Sequence, residues 1–214
     1  MKHITEPPLE IVGTLEKRRE EARVRLLEAL DSTRYERFET SFADMLRRGP
    51  TTEAGSEPVL DAAPDLLSGP YGKWRKAAKR IDGSSSPEEY HELRKKGKDL
   101  RYALEFLSDV YGKQTTNELV KPLKALQDVL GEHQDLIVAG DLLEEFATGD
   151  QRLPQRTAFV MGALAERHRQ EAANRRASVP SLKAYRTLIK GKKWEGFEKV
   201  MKKERSKAKA ASKG

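Results

Sequence analysis

Residues 86–110 read SPEEYHELRKKGKDLRYALEFLSDV, and this stretch decides the fold. Ser86-Pro87-Glu88-Glu89 is a helix start. Ser86 can cap, Pro87 suits the first turn, and Glu89 completes a capping box. With His91 at zero and an advance of about 100° per residue, Arg94, Lys95, Lys98, Arg101 and Tyr102 share an arc of about 120° with His91. Tyr90, Leu93, Gly97, Leu100, Leu104 and Leu107 fall on the far side, with Glu92 and Asp99 on a flank. The helix runs to about Val110 and stops at Gly112. One stripe is apolar and must pack on other helices. The other is almost entirely basic.

The flanking sequence repeats the helical period. Leu15, Ala22, Leu26, Ala29, Leu30, Phe38, Phe42, Met45 and Leu46 predict one long helix over Thr14–Arg48, ended by Gly49-Pro50. A loop over 50–58 precedes a short helix, Leu60–Leu67, and another, Tyr71–Ile81. Downstream, helices are expected over Asn117–Leu130, ending at Gly131, and over Asp135–Phe146, ending at Gly149. Leu153-Pro154 opens a helix to about Arg176, and Pro180 opens a last one over Ser181–Ile189. No alternating Val, Ile or Thr run and no Asn-Gly turn suggests a strand. The expected fold is all-α, an antiparallel helical bundle with a four-helix core plus a long N-terminal helix. The expected organisation is an N-terminal arm over 1–13, a helical domain over 14–200 and a basic disordered tail over 201–214.

Composition narrows the class. Of 214 residues, 35% are charged and 37% hydrophobic, a balance that suits amphipathic helices with wet outer faces. There is no cysteine, so disulfides and thiolate metal sites are excluded and a cytoplasmic location is expected. No apolar run is long enough for a membrane span, and the first ten residues lack the apolar core of a signal peptide. The net charge of +7 is misleading. Residues 186–214 hold eleven Lys or Arg against three acids, a charge of +8, which leaves −1 for residues 1–185. Any anion site in the body of the protein must therefore come from local arrangement.

The basic stripe is such an arrangement. Like charges one turn apart repel by a few tenths of a kcal/mol, so Arg94, Lys98 and Arg101 are a costly row unless something negative meets them. Cations about 5–6 Å apart suit a ligand with regularly spaced negative charge, with Arg gripping phosphate oxygens in pairs. Lys121 and Lys124 share one face of the next helix, and Arg75 and Lys79 lie one turn apart before the Ser-rich loop. A plain solvated face is the competing reading. On that reading His91 caps or packs, Tyr102 is half-buried core, Asp128 is a salt-bridge partner and Asp135 an N-cap. No phosphate-binding loop, zinc-binding H-E-x-x-H or Ser/His/Asp arrangement occurs, so neither catalysis nor a metal or cofactor is expected.

The residues from His91 to Tyr102 resemble the signature of CHAD domains, the conserved-histidine α-helical domains. Leu123-Lys124-Ala-Leu126-Gln127-Asp128-Val-Leu130-Gly131 with Asp135 is similar to the second block of that family, and Leu182–Arg186 with Trp194 to its closing segment. The resemblance spans about residues 15–197. It implies a non-catalytic helical domain that binds inorganic polyphosphate through basic residues lining a groove, in association with polyphosphate granules. The residues carried over are His91, Arg94, Lys95, Lys98, Arg101, Tyr102, Lys121, Lys124, Arg75 and Lys79. Family members usually have two related halves, each with a His/Arg/Lys helix. This chain has one such helix and looks like the second half plus one helix, and Asp99 stands where a basic residue is common. A homodimer promoted by the ligand would supply the missing wall. Nucleic-acid contact through the basic tail, or a helical protein-interaction scaffold, are the alternatives.

Overall fold

The computed structural model describes residues 9–149 and 153–211, and among these every regular element is helical. The main helices are α1 (Leu9–Leu30), α2 (Thr33–Arg48), α3 (Val59–Ala78), α4 (Pro87–Phe106), α5 (Ser108–Tyr111), α6 (Lys113–Gly149), α7 (Gln155–Ser178), α8 (Lys183–Ile189) and α9 (Lys192–Ala211). The fold is an all-α helical bundle. The chain divides into two compact units. One comprises the segment through Glu57 with Leu143–Leu164. The other comprises Pro58–Leu142 with the segment from Ala165 onward.

The second unit holds the main core. α3 contributes Ala63, Leu67, Tyr71, Trp74 and Ala78; α4 contributes Tyr90, Leu93, Leu100 and Leu104; α6 contributes Leu119, Val120, Leu123, Leu126 and Leu130. Tyr185 and Leu188 of α8 and Trp194, Phe197 and Met201 of α9 complete it. Tyr71 stacks on Trp194 with ring centroids 3.8 Å apart. The apolar stripe of α4 is thus the buried one, as its period requires. The capping box forms: Glu89 N–H donates to Ser86 Oγ at 3.3 Å, and Ser86 N–H to Glu89 Oε2 at 2.9 Å. In the first unit, Arg18 of α1 pairs with Glu145 at 2.9 Å and lies over the Phe146 ring at 4.4 Å.

Several element boundaries differ from the sequence expectation. The helix expected over Thr14–Arg48 is broken at Asp31-Ser32, because Ser32 caps α2: its side chain accepts from Tyr35 N–H while its hydroxyl donates to Ala29 O at 2.6 Å. That helix also starts earlier, so residues 9–13 of the expected arm are helical, and residues 1–8 lie outside the described residues. The two helices expected over Leu60–Leu67 and Tyr71–Ile81 are one, α3, which tolerates Pro64 and Pro70. An interior proline costs about 3 kcal/mol. Here a continuous stripe of five buried residues at four- and three-residue spacing outweighs it.

Gly131 does not end a helix. α6 runs through it for 37 residues, because Leu126, Leu130, His133 and Gly140 keep one buried stripe on both sides. Asp135 is therefore mid-helix and not an N-cap. At the other end, Gly112 adopts φ +84°, a left-handed turn that suits glycine and separates α5 from α6. The basic tail is helical through Ala211, not disordered: Trp194, Phe197 and Met201 bury one face of α9. Arg205 and Lys209 both reach Asp61 on α3, at 2.5 Å and 3.4 Å, and the Arg205 hydrogen bond lowers the Asp61 carboxyl below its ordinary range. Residues 212–214 of the expected tail lie outside the described residues.

Candidate functional site

The basic stripe of α4 faces α6 across a groove of about 500 Å³. Arg94, Lys98, Arg101 and Tyr102 line it from α4, and Gln127, Asp128, Gly131, Glu132 and Asp135 from α6. One glycine, Gly97, lets the helices meet closely, while Gly131 leaves room beside Arg94. A Cβ on Gly97 would come within 3.3 Å of Gln127 Nε2 and 3.5 Å of Trp74 Nε1, so α4 lies close to α3 and α6 there. A Cβ on Gly131 would lie 4.0 Å from Arg94 Nε.

The cations differ in how they are held. Arg94 and Lys98 make no ion pair among the described residues. Arg101 donates to Glu105 at 3.1 and 3.3 Å and lies over the Tyr102 ring at 4.5 Å, with Lys98 5.9 Å from the same ring. Its Nε–H, like Gln127 Nε2, is buried without an acceptor among the described residues. Tyr102 is 51% exposed, so its ring is a platform beside the groove and not core. His91 sits above the same row and is held by Gln134, Nδ1 to Oε1 2.8 Å.

The other expected site residues are placed differently. Lys95 is exposed and tied at 2.8 Å to Glu92, which also takes Lys96 at 2.8 Å. The hydrogen bonds from Lys95 and then Lys96 hold the Glu92 carboxyl down to about 2, and Glu92 in turn raises Lys95. Lys124 bridges to Glu105 at 3.2 Å, the same carboxylate that Arg101 uses, which links α6 to α4 below the groove. Lys121 is exposed on α6. Arg75 points away from the row: a Cβ on Gly191 would lie 3.3 Å from its Nη2, so it packs at the α8–α9 junction. Lys79 is the exposed C-cap of α3. Neither Arg75 nor Lys79 lines the groove.

Sequence reasoning missed Glu132 and Gln134. Glu132 lies one turn after Asp128, and Gln134 two turns after Gln127, so both fall on the groove side of α6 once the helix is continuous. Reading Gly131 as a helix end hid that register. The groove is consequently mixed in charge, with Asp128, Glu132 and Asp135 opposite Arg94, Lys98 and Arg101. Glu132 is partly engaged elsewhere, by Arg175 of α7 at 3.2 Å.

No described helix is long and apolar enough to cross a membrane, and no described cluster of His, Cys, Asp or Glu could hold a metal ion. No curated protein matches the chain. A family model described as CHAD domain matches residues 5–144, which takes in the whole of α4 and both groove-lining segments. With well over half of its length matched, the chain belongs to the CHAD domain family.

Proposed function

We propose that the protein is a non-catalytic binder of inorganic polyphosphate, with Arg94, Lys98 and Arg101 of α4 as the main contacts. The observation that carries this reading is that Arg94 and Lys98 line an open groove with no ion-pair partner among the described residues. A row of cations in which Arg94 and Lys98 have no direct ion-pair partner among the described residues favours an anion with several linked charges over a single one, because each successive contact is made without a new loss of translational freedom. Arg94 and Arg101 supply paired donors to phosphate oxygens and Lys98 a mobile point charge. His91, fixed by Gln134, extends the row by one turn.

The test is a folded triple variant carrying Arg94→Glu, Lys98→Glu and Arg101→Glu, titrated with long-chain polyphosphate. Binding should fall below detection while the helical signal stays unchanged. Wild-type affinity in the folded variant would place the site elsewhere. A second reading, contact with nucleic-acid phosphates, is favoured by the exposed Lys199, Lys202 and Lys203 on α9. Parallel titrations with DNA and RNA separate the two, since that reading predicts no loss in the α4 variant.

A further inference from the structure

Outside the groove, the largest unexplained feature is the face of α2. This helix buries none of its residues. Phe38 is 58% exposed, Phe42 47%, Met45 52% and Leu46 63%. The rings form a ladder along the helix, with Tyr35 and Phe38 centroids 6.1 Å apart and Phe38 and Phe42 5.8 Å apart. α2 is also well bounded, by the Ser32 cap and by Gly49 at φ +68°. A capped helix with one aromatic face open to water needs a partner for that face.

The spacing and charges of α2 say which partner. Tyr35, Phe38, Phe42 and Met45 follow the three-and-four spacing of a coiled-coil seam. With Tyr35 and Phe42 in the first seam position, Arg34 precedes the seam on one flank and Glu39 follows on the other. Neither makes an ion pair among the described residues. In a parallel two-stranded pair, the residue before the seam meets the residue five positions later in its partner. Arg34 and Glu39 are five apart. In an antiparallel pair Arg34 would instead face a second arginine, Arg48. We propose that α2 is the interface of a parallel, two-fold homodimer, in which Arg34 of each copy pairs with Glu39 of the partner subunit.

The four exposed apolar side chains and Tyr35, each already partly covered, would together remove on the order of 1,000 Å² from the two copies. That is the lower end for a specific interface, so the dimer is weak and depends on concentration. The polar side of α2 mixes Arg37, Arg47 and Arg48 with Glu36 and Asp44. This balance suits a protein partner better than an anionic lipid surface, which favours a strongly basic polar face.

Sedimentation equilibrium of the full chain, in buffer free of polyphosphate, tests this independently of the polyphosphate reading. Between about 1 μM and about 1 mM the mean mass should rise from one chain to two. A variant with Phe38→Glu and Phe42→Glu should stay at one chain with unchanged helical signal, as both positions are exposed. Arg34→Glu alone and Glu39→Arg alone should each weaken the dimer at least tenfold, and an equimolar mixture of the two should restore it as a heterodimer. Four results would overturn the proposal. They are a wild-type monomer throughout, a dimer that survives the phenylalanine changes, tighter pairing by Arg34→Glu, or binding of neutral phospholipid vesicles through α2 without self-association.

Discussion

His91 Nδ1 lies 2.8 Å from Gln134 Oε1, and this contact ties α4 to α6 at one end of the groove. An amide oxygen only accepts, so Nδ1 carries the proton and the lone pair of a neutral ring sits on Nε2. The pair fixes the orientation of the imidazole and the relation of the two groove walls. Replacing Gln134 by Leu should release both. A lost hydrogen bond of this kind costs about 1 kcal/mol in stability. Polyphosphate affinity should fall several-fold, because His91 is then free to rotate off the row. Paired thermal melts and titrations of Gln134→Leu check this. Unchanged affinity would mean that His91 packs and does not bind.

The acids of the groove lead to an opposite expectation. Asp128 and Asp135 face the same space as Arg94, Lys98 and Arg101. Carboxylates there oppose an incoming anion. Asp128→Asn with Asp135→Asn keeps shape and removes two negative charges. At an effective dielectric near 20 such neighbours contribute on the order of 1 kcal/mol each, about 2 kcal/mol together, so polyphosphate should bind roughly thirtyfold tighter at low salt. The gain should shrink as salt rises. Weaker binding in this variant would show that the carboxylates orient the arginines instead.

The α9 lysines should act on every polyanion alike. Lys199, Lys202 and Lys203 are exposed. Changing all three to Gln should lower the salt dependence of duplex DNA binding by up to about 0.9 per lost phosphate contact. The ratio of polyphosphate to DNA affinity should then stay unchanged. Point changes are the right tool, because truncation at Val200 would also remove the buried Met201 and the Arg205–Asp61 contact.

His133 makes stability depend on pH. It is 1% exposed, its Nε2 has no partner among the described residues, and burial, aided by Arg176, holds its pKa down to about 4 from 6.5. Above pH 6.5 the ring is neutral in both folded and unfolded chains and contributes no pH dependence. As pH falls towards 4, the unfolded chain takes up a proton that the folded chain refuses, so stability drops. The full difference corresponds to roughly 3 kcal/mol. Melting temperature should fall between pH 6.5 and 4, and His133→Phe should flatten that slope. An unchanged slope would assign the acid sensitivity to other groups.

How much of this was legible in the sequence depended on whether a signal was local. The two faces of α4 and the Ser86 cap were readable because period and cap lie within a few residues. The period alone put Arg94, Lys98, Arg101 and Tyr102 on one face, but it put His91 and Lys95 there too, and neither of those lines the groove. The break at Ser32 was not readable, since the apolar spacing continues across it and only the cap interrupts the hydrogen-bond ladder. Gly131 misled for the opposite reason. Glycine ends many helices, yet here the buried stripe of Leu130 and His133 carries α6 through. That error displaced Glu132 and Gln134 from the site, and with them the mixed charge of the groove. Order in the basic tail rested on Asp61, 144 residues from Arg205, a pairing that no local pattern reveals.

The stoichiometry of a long polyphosphate complex is the remaining expectation. A linear polyanion is held best by cations on opposite walls, where low-dielectric sides focus the field. Here Arg94, Lys98 and Arg101 all come from one wall, and the facing wall of α6 is acidic. A second copy can provide the missing cations by setting its own α4 row against the same polymer. Without ligand the two rows repel, so this contact forms only when polyphosphate lies between them. Long chains should therefore bring two proteins together, whereas pyrophosphate and triphosphate should not. The α2 interface must be removed first, so the protein to use carries Phe38→Glu and Phe42→Glu, with Lys199, Lys202 and Lys203 changed to Gln. Light scattering at protein excess should then show two chains per polymer segment, and the Arg94→Glu, Lys98→Glu, Arg101→Glu changes should abolish it. A complex that stays at one protein per long polymer would sink the idea and leave a single wall sufficient for binding.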